Sequence, residues 1–100
     1  MASAESSNYT VYVDDNFHYM DESHRYSTGI YQDCQTATDK CKEIVDTYLL
    51  SEYRQGMSAQ ELLDRYKSFG EDPWISSTDD TCRFSAWNYA EARCEELCQS

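Results

Sequence analysis

The chain has 100 residues, with 19 acidic against 8 basic side chains and a net charge of −11, so a single acidic domain is expected. This charge argues against nucleic acid and anionic membranes as partners, because both attract proteins through Lys and Arg side chains. No apolar run approaches the roughly 20 residues of a membrane-spanning helix. With 40% hydrophobic and 14% aromatic residues, the chain is nevertheless expected to fold.

The amino-terminal residues 1–8 are rich in serine, and we predict a disordered tail there, followed by one compact domain over residues 9–100. The tail has neither the positive charge nor the apolar run of a signal peptide, which predicts a cytoplasmic protein. Cysteines are kept reduced in the cytosol, so all five are expected to be free thiols. They are Cys34, Cys41, Cys82, Cys94 and Cys98.

Two runs near the start have the period of a half-buried strand. Residues 9–14 alternate apolar and polar side chains, and residues 25–31 place Tyr26, Thr28 and Ile30 on one side. We expect the two runs to pair as an antiparallel hairpin. Their connection is long for a hairpin and should have structure of its own.

The period then changes to that of a helix. Apolar residues from Ala37 to Leu49, Ile44 among them, form one stripe, with Thr36 as the predicted N-cap. Ser58 and Glu61 have the spacing of a capping box, which predicts a second helix.

The apolar stripe of this second helix extends to Phe69, and Gly70 is predicted to terminate the helix. Residues 74–77 have the composition of a short third strand. Ser85 is the predicted N-cap of a last helix, with Trp87 on its apolar face and Phe84 packed on Tyr89. The predicted fold class is α+β: an N-terminal antiparallel hairpin, with the option of a third strand, packed against three α-helices.

The connection between the first two strands concentrates the groups that suit chemistry. Carboxylates alone suit calcium or magnesium, and imidazole shifts the preference toward zinc, manganese or iron. The spacing matches neither a calcium-binding loop nor a helical zinc motif, so a solvated structural loop is favoured over a metal site. The candidate metal ligands are Asp14, Asp15, His18, Asp21, Glu22 and His24.

Aromatic side chains in and around the same connection suit a contact surface for another protein. The candidate partner-binding residues are Tyr12, Phe17, Tyr19 and Tyr31. No nucleophile motif, phosphate loop or dinucleotide fingerprint is present, so no cofactor is expected and an enzyme is disfavoured. The leading hypothesis is therefore a non-enzymatic module that binds a protein or peptide. A divalent-metal protein using residues 14–24 is the alternative, and a small acid–base enzyme is a further one.

Residues 12–22, 41–46, 56–58, 69–73 and 84–87 form five further informative strings. Together they resemble a family of small acidic bacterial proteins without an assigned activity. The resemblance extends from about Tyr9 to Cys98 and implies a single domain in the bacterial cytoplasm. It brings no cofactor or catalytic residue with it.

Overall fold

The computed structural model describes residues 8–16, 25–79 and 81–98, which form three strands and three helices. The predicted α+β class is confirmed. The elements in chain order are β1 (Tyr9–Asp15), β2 (Tyr26–Tyr31), α1 (Cys34–Glu52), α2 (Ala59–Phe69), β3 (Glu71–Ser76) and α3 (Ala86–Cys98).

The three strands form one antiparallel sheet in the order β2-β1-β3, so the predicted hairpin and the third strand are both confirmed. β3 begins three residues before the predicted run, because Asp15 and Asp14 of β1 pair with Glu71 and Asp72. Pro73 lacks an N–H group, which the outer strand of a sheet tolerates.

A bulge in β2 changes which face of the sheet its side chains point to. Val11 pairs with Gly29 and Tyr12 pairs with Ser27, so Thr28 is left as the extra residue. Gly29 has a φ of +142°, which L side chains rarely adopt. The prediction that Tyr26, Thr28 and Ile30 share a side is therefore wrong, because one extra residue reverses the alternation.

The core consists of two clusters along α1, whose inward residues Ala37, Cys41, Val45 and Leu49 are all fully buried. The first half of α1 packs with Tyr9, Val11 and Cys82, and the second half packs with residues of α2 and α3. Phe84 contacts both clusters. Ile44, which the sequence places on the buried stripe, is only half-buried.

Two of the three predicted helix N-caps, Ser58 and Ser85, are confirmed. The Ser58–Glu61 capping box is present, and Ser85 Oγ accepts a hydrogen bond from the Asn88 N–H at 3.3 Å. The prediction of Thr36 as the N-cap of α1 is wrong. Asp33 accepts the Thr36 N–H at 2.7 Å, so the helix starts earlier.

Two aromatic residues assigned to helix stripes lie at the surface instead. Phe69 is 58% exposed, since α2 ends there and the Tyr66 ring fills the core position one turn earlier. Gly70 packs so tightly on Tyr66 that an added Cβ would lie 2.5 Å from the ring. Trp87 is 36% exposed and lies under the Lys67 ammonium, 5.5 Å from its ring centroid.

Not all five cysteines are free thiols. Cys34 and Cys82 form a disulfide that joins the start of α1 to the segment before α3, with a Cα–Cα distance of 5.8 Å. The prediction is wrong for these two, because folding brings together residues 48 positions apart. Cys41, Cys94 and Cys98 are free, as predicted.

Candidate functional site

The two faces of the sheet differ in what covers them. Tyr9, Val11 and Val13 point toward the helices and are buried, as the alternation in β1 predicts. The side chains of the opposite face belong to neither core cluster, and none of them is fully buried. We call this second face the open face; it comprises Thr10, Tyr12 and Asp14 of β1, Ser27 and Ile30 of β2, and Asp72, Trp74 and Ser76 of β3.

A cluster of aromatic and charged side chains lies on the open face. Tyr12 and Trp74 are directly opposite each other and stack with ring centroids 5.0 Å apart. The Arg25 guanidinium lies 5.2 Å from the Trp74 centroid, and its Nε donates to Asp14 Oδ1 at 2.6 Å. Asp14 is thus paired with a cation of the same chain.

Asp72 lies next to this pair and has no partner of its own among the described residues. It is directly across the strand from Asp14, and no side chain in the described parts of the chain donates a hydrogen bond to it or pairs with its charge. Burial raises the pKa of the Asp72 carboxyl to about 6, and the negative charge of Asp14 adds to the increase. Such a carboxyl is a candidate for a functional group.

Asp72 and Trp74 also form one wall of a groove where β3 meets the start of α3. The groove has a volume of about 410 Å³, and its other lining residues are Phe84, Ser85, Ala86 and Trp87. The Trp74 Nε1 atom is buried and has no acceptor among the described residues. Three aromatic rings and one carboxylate without a counter-ion among the described residues suit a ligand with an apolar stem and a positive charge.

A second groove, of about 320 Å³, lies along the outer side of α1 and has Ile44 and Tyr48 in its lining. Its charged groups already have partners. Lys40 pairs with Glu43 at 3.3 Å, and Glu71 accepts a hydrogen bond from Tyr26 at 2.7 Å. The groove between β3 and α3 is therefore the stronger candidate.

The predicted metal ligands are only partly within the described residues. Asp14 and Asp15 are consecutive in β1, so their carboxylates point to opposite faces of the sheet. Over residues 8–16, 25–79 and 81–98, no three His, Cys, Asp or Glu side chains converge on a metal position. The other four candidates, His18, Asp21, Glu22 and His24, lie outside the described residues.

The predicted partner-binding residues are divided in the same way. Tyr12 belongs to the open face, whereas Tyr31 pairs with Tyr9 and packs against the core on the helix side. Phe17 and Tyr19 lie outside the described residues.

Sequence reasoning missed Asp72 and Trp74. Asp72 and Trp74 alternate with Pro73 and Ile75 along β3. This strand-like alternation is the sequence pattern that could have placed both residues on one face of the sheet.

Replacing Asp72 with asparagine is expected to stabilise the protein at neutral pH. The pKa of Asp72 is about 6 in the folded protein against an ordinary 3.8, so the folded state loses stability as pH rises from about 4 through 6. At about pH 7.5, Asp72→Asn should raise the free energy of unfolding by about 1 kcal/mol, a figure that allows for solvent screening. At about pH 4 the substitution should change stability little, because the Asp72 carboxyl is already protonated in the folded protein. Urea unfolding at both pH values measures the difference.

The control for this experiment is Asp64→Asn, which removes an exposed carboxylate on α2. A control variant with the same pH dependence as Asp72→Asn would show that overall charge, and not the site of Asp72, causes the effect.

No protein-family model, curated protein or solved structure matches this chain. Among the described residues, no helix has the length and apolar character to cross a membrane.

Proposed function

We propose that this protein is a non-enzymatic module that binds an extended, basic segment of another protein or a peptide on the open face. The observation that carries the proposal is a sheet face that no helix of the described residues covers, although it presents Ile30, Tyr12 and Trp74. Ile30 is 67% exposed there. Aromatic and aliphatic groups surrounded by polar ones are typical of protein interfaces.

Charge indicates which kind of partner fits. The chain has a net charge of −11, and among the described residues the open face presents two carboxylates, of which Asp14 is paired with the Arg25 guanidinium. A basic segment would be drawn to this surface and an acidic one repelled. The metal-binding and enzymatic alternatives stay predictions.

The substitution Ile30→Lys tests the proposal, with Leu50→Lys as its matched control. Both residues are large, aliphatic and exposed, Ile30 on the open face and Leu50, 56% exposed, on α1. Each variant adds one positive charge, so their long-range repulsion of a basic ligand is equal. A phage-displayed library of random peptides, selected against the wild-type protein, supplies the probe.

We expect selection to enrich basic peptides that bind the wild type and Leu50→Lys alike. Ile30→Lys should bind them at least about tenfold more weakly, because a charge is buried at the contact. Failure to enrich any peptide, or equal binding by the two variants, would contradict the proposal. Circular dichroism of both variants verifies that they are folded.

We also propose that the protein belongs to the bacterial family that its sequence resembles. Its cellular compartment is a separate question. The sequence predicts the cytoplasm, but the Cys34–Cys82 disulfide favours an oxidising compartment, since cytosolic reductants keep thiols free. Rapid alkylation of thiols in the source cells, followed by mass spectrometry, distinguishes the two.

A further inference from the structure

We propose that the groove between β3 and α3 binds an arginine side chain of the partner, with its guanidinium against Asp72 and its stem along the aromatic walls. This inference rests on the proposed function and names the chemistry of one contact. The groove adjoins the open face, because Asp72 and Trp74 belong to both. A segment lying on the face would thus extend one side chain into it.

Asp72 supplies the charge that the groove needs. Asp14 on β1 is held by Arg25, whereas Asp72 has no counter-ion among the described residues. Besides Asp14, the titratable groups of the described residues that interact with Asp72 are the Cys41 thiol of α1 and the Tyr66 hydroxyl of α2. Burial raises the pKa of both groups, so they stay neutral and do not balance the Asp72 charge.

The walls of the groove suit the rest of an arginine side chain. Trp74, Phe84 and Trp87 present aromatic side chains to the groove, and Ala86 completes its lining at the start of α3. A guanidinium is planar and weakly hydrated, and it stacks on aromatic rings better than an ammonium does. Within this chain, the Trp74 ring already contacts the Arg25 guanidinium at 5.2 Å.

The chain contains two tryptophans, Trp74 and Trp87, and both line the groove, so intrinsic fluorescence reports on its occupancy. The probe is N-acetyl-arginine amide, and N-acetyl-citrulline amide is its uncharged isostere. Titrations use the full chain at about 150 mM salt, which screens diffuse attraction beyond about 8 Å. The variants are Asp72→Asn and the exposed-carboxylate control Asp64→Asn.

We expect the arginine probe to change the fluorescence saturably, with a dissociation constant of about 1 mM for a ligand of this size. Asp72→Asn should weaken binding about tenfold, Asp64→Asn should leave it unchanged, and the citrulline probe should bind at least about tenfold more weakly. The variant Asp72→Asn is expected to be folded and more stable at neutral pH, so its weaker binding does not reflect unfolding.

Three results would overturn the inference: no saturable response to the arginine probe, equal binding of the citrulline probe, or unchanged binding by Asp72→Asn. None of them would contradict peptide binding on the open face, which the comparison of Ile30→Lys with Leu50→Lys tests separately. Conversely, failure of the peptide selection would leave a positive arginine titration as evidence for the groove alone.

Discussion

Reduction of the Cys34–Cys82 disulfide is expected to lower the free energy of unfolding by about 4 kcal/mol. The bond joins residues 48 positions apart, and a cross-link over about that length removes about 4 kcal/mol of conformational entropy from the unfolded chain. Cys82 is also buried in the cluster formed with Tyr9 and Val11, so reduction loosens the contact between α1 and the segment before α3. Urea unfolding with and without a phosphine reductant measures the loss.

Two variants show whether the loss comes from this bond. The double variant Cys34→Ser/Cys82→Ser should match the reduced wild type and should not respond to reductant. Cys98→Ser removes a half-buried free thiol without a cross-link, and its stability should fall with reductant as the wild type does. Equal stability of the oxidised and reduced wild type would contradict a stabilising disulfide.

The substitution Leu49→Ala is expected to cost about 2–5 kcal/mol of folding free energy. Leu49 is fully buried on α1, in one cluster with Leu62, Tyr66 and Ala90, so its removal leaves a cavity where three helices meet. The neighbouring Leu50 is 56% exposed, and Leu50→Ala should change stability by less than about 0.5 kcal/mol. Urea or guanidinium unfolding compares these adjacent leucines directly.

Ile44→Ala is an informative third member of the series. The helical period alone places Ile44 on the buried stripe, but the residue is half-buried and lines the groove along α1. Its replacement should therefore cost less than that of Leu49. A cost for Ile44→Ala equal to or above that for Leu49→Ala would contradict the assignment of the buried face.

The elements that the sequence predicted well are those set by local physical chemistry. Alternation of apolar and polar residues is enough to define β1, because a strand shows successive side chains to opposite faces. The Ser58–Glu61 box defines the start of α2, because both of its hydrogen bonds lie within one helical turn. Ser85 with Asn88 does the same for α3.

Two sequence predictions failed because a nearby residue of the same helix or its cap takes the expected position. Asp33 replaces Thr36 as a cap because its carboxylate reaches the Thr36 N–H from one turn before it. Phe69 has the right spacing for the core, yet it is 58% exposed, because α2 ends there and Tyr66 occupies the buried position one turn earlier. A helical period shows which side is apolar, but not where along the helix the neighbouring element ends.

The candidate site depends almost entirely on tertiary structure. The sequence by itself determined an acidic α+β domain with an amino-terminal hairpin and capped helices, because charge, period and capping act over a few residues. Strand pairing decided that Asp72 lies across from Asp14, and Arg25 pairs with Asp14. Chain folding likewise decided the Cys34–Cys82 bond and the groove between β3 and α3. These contacts join residues distant in sequence, and their energies depend on geometry that no local pattern records.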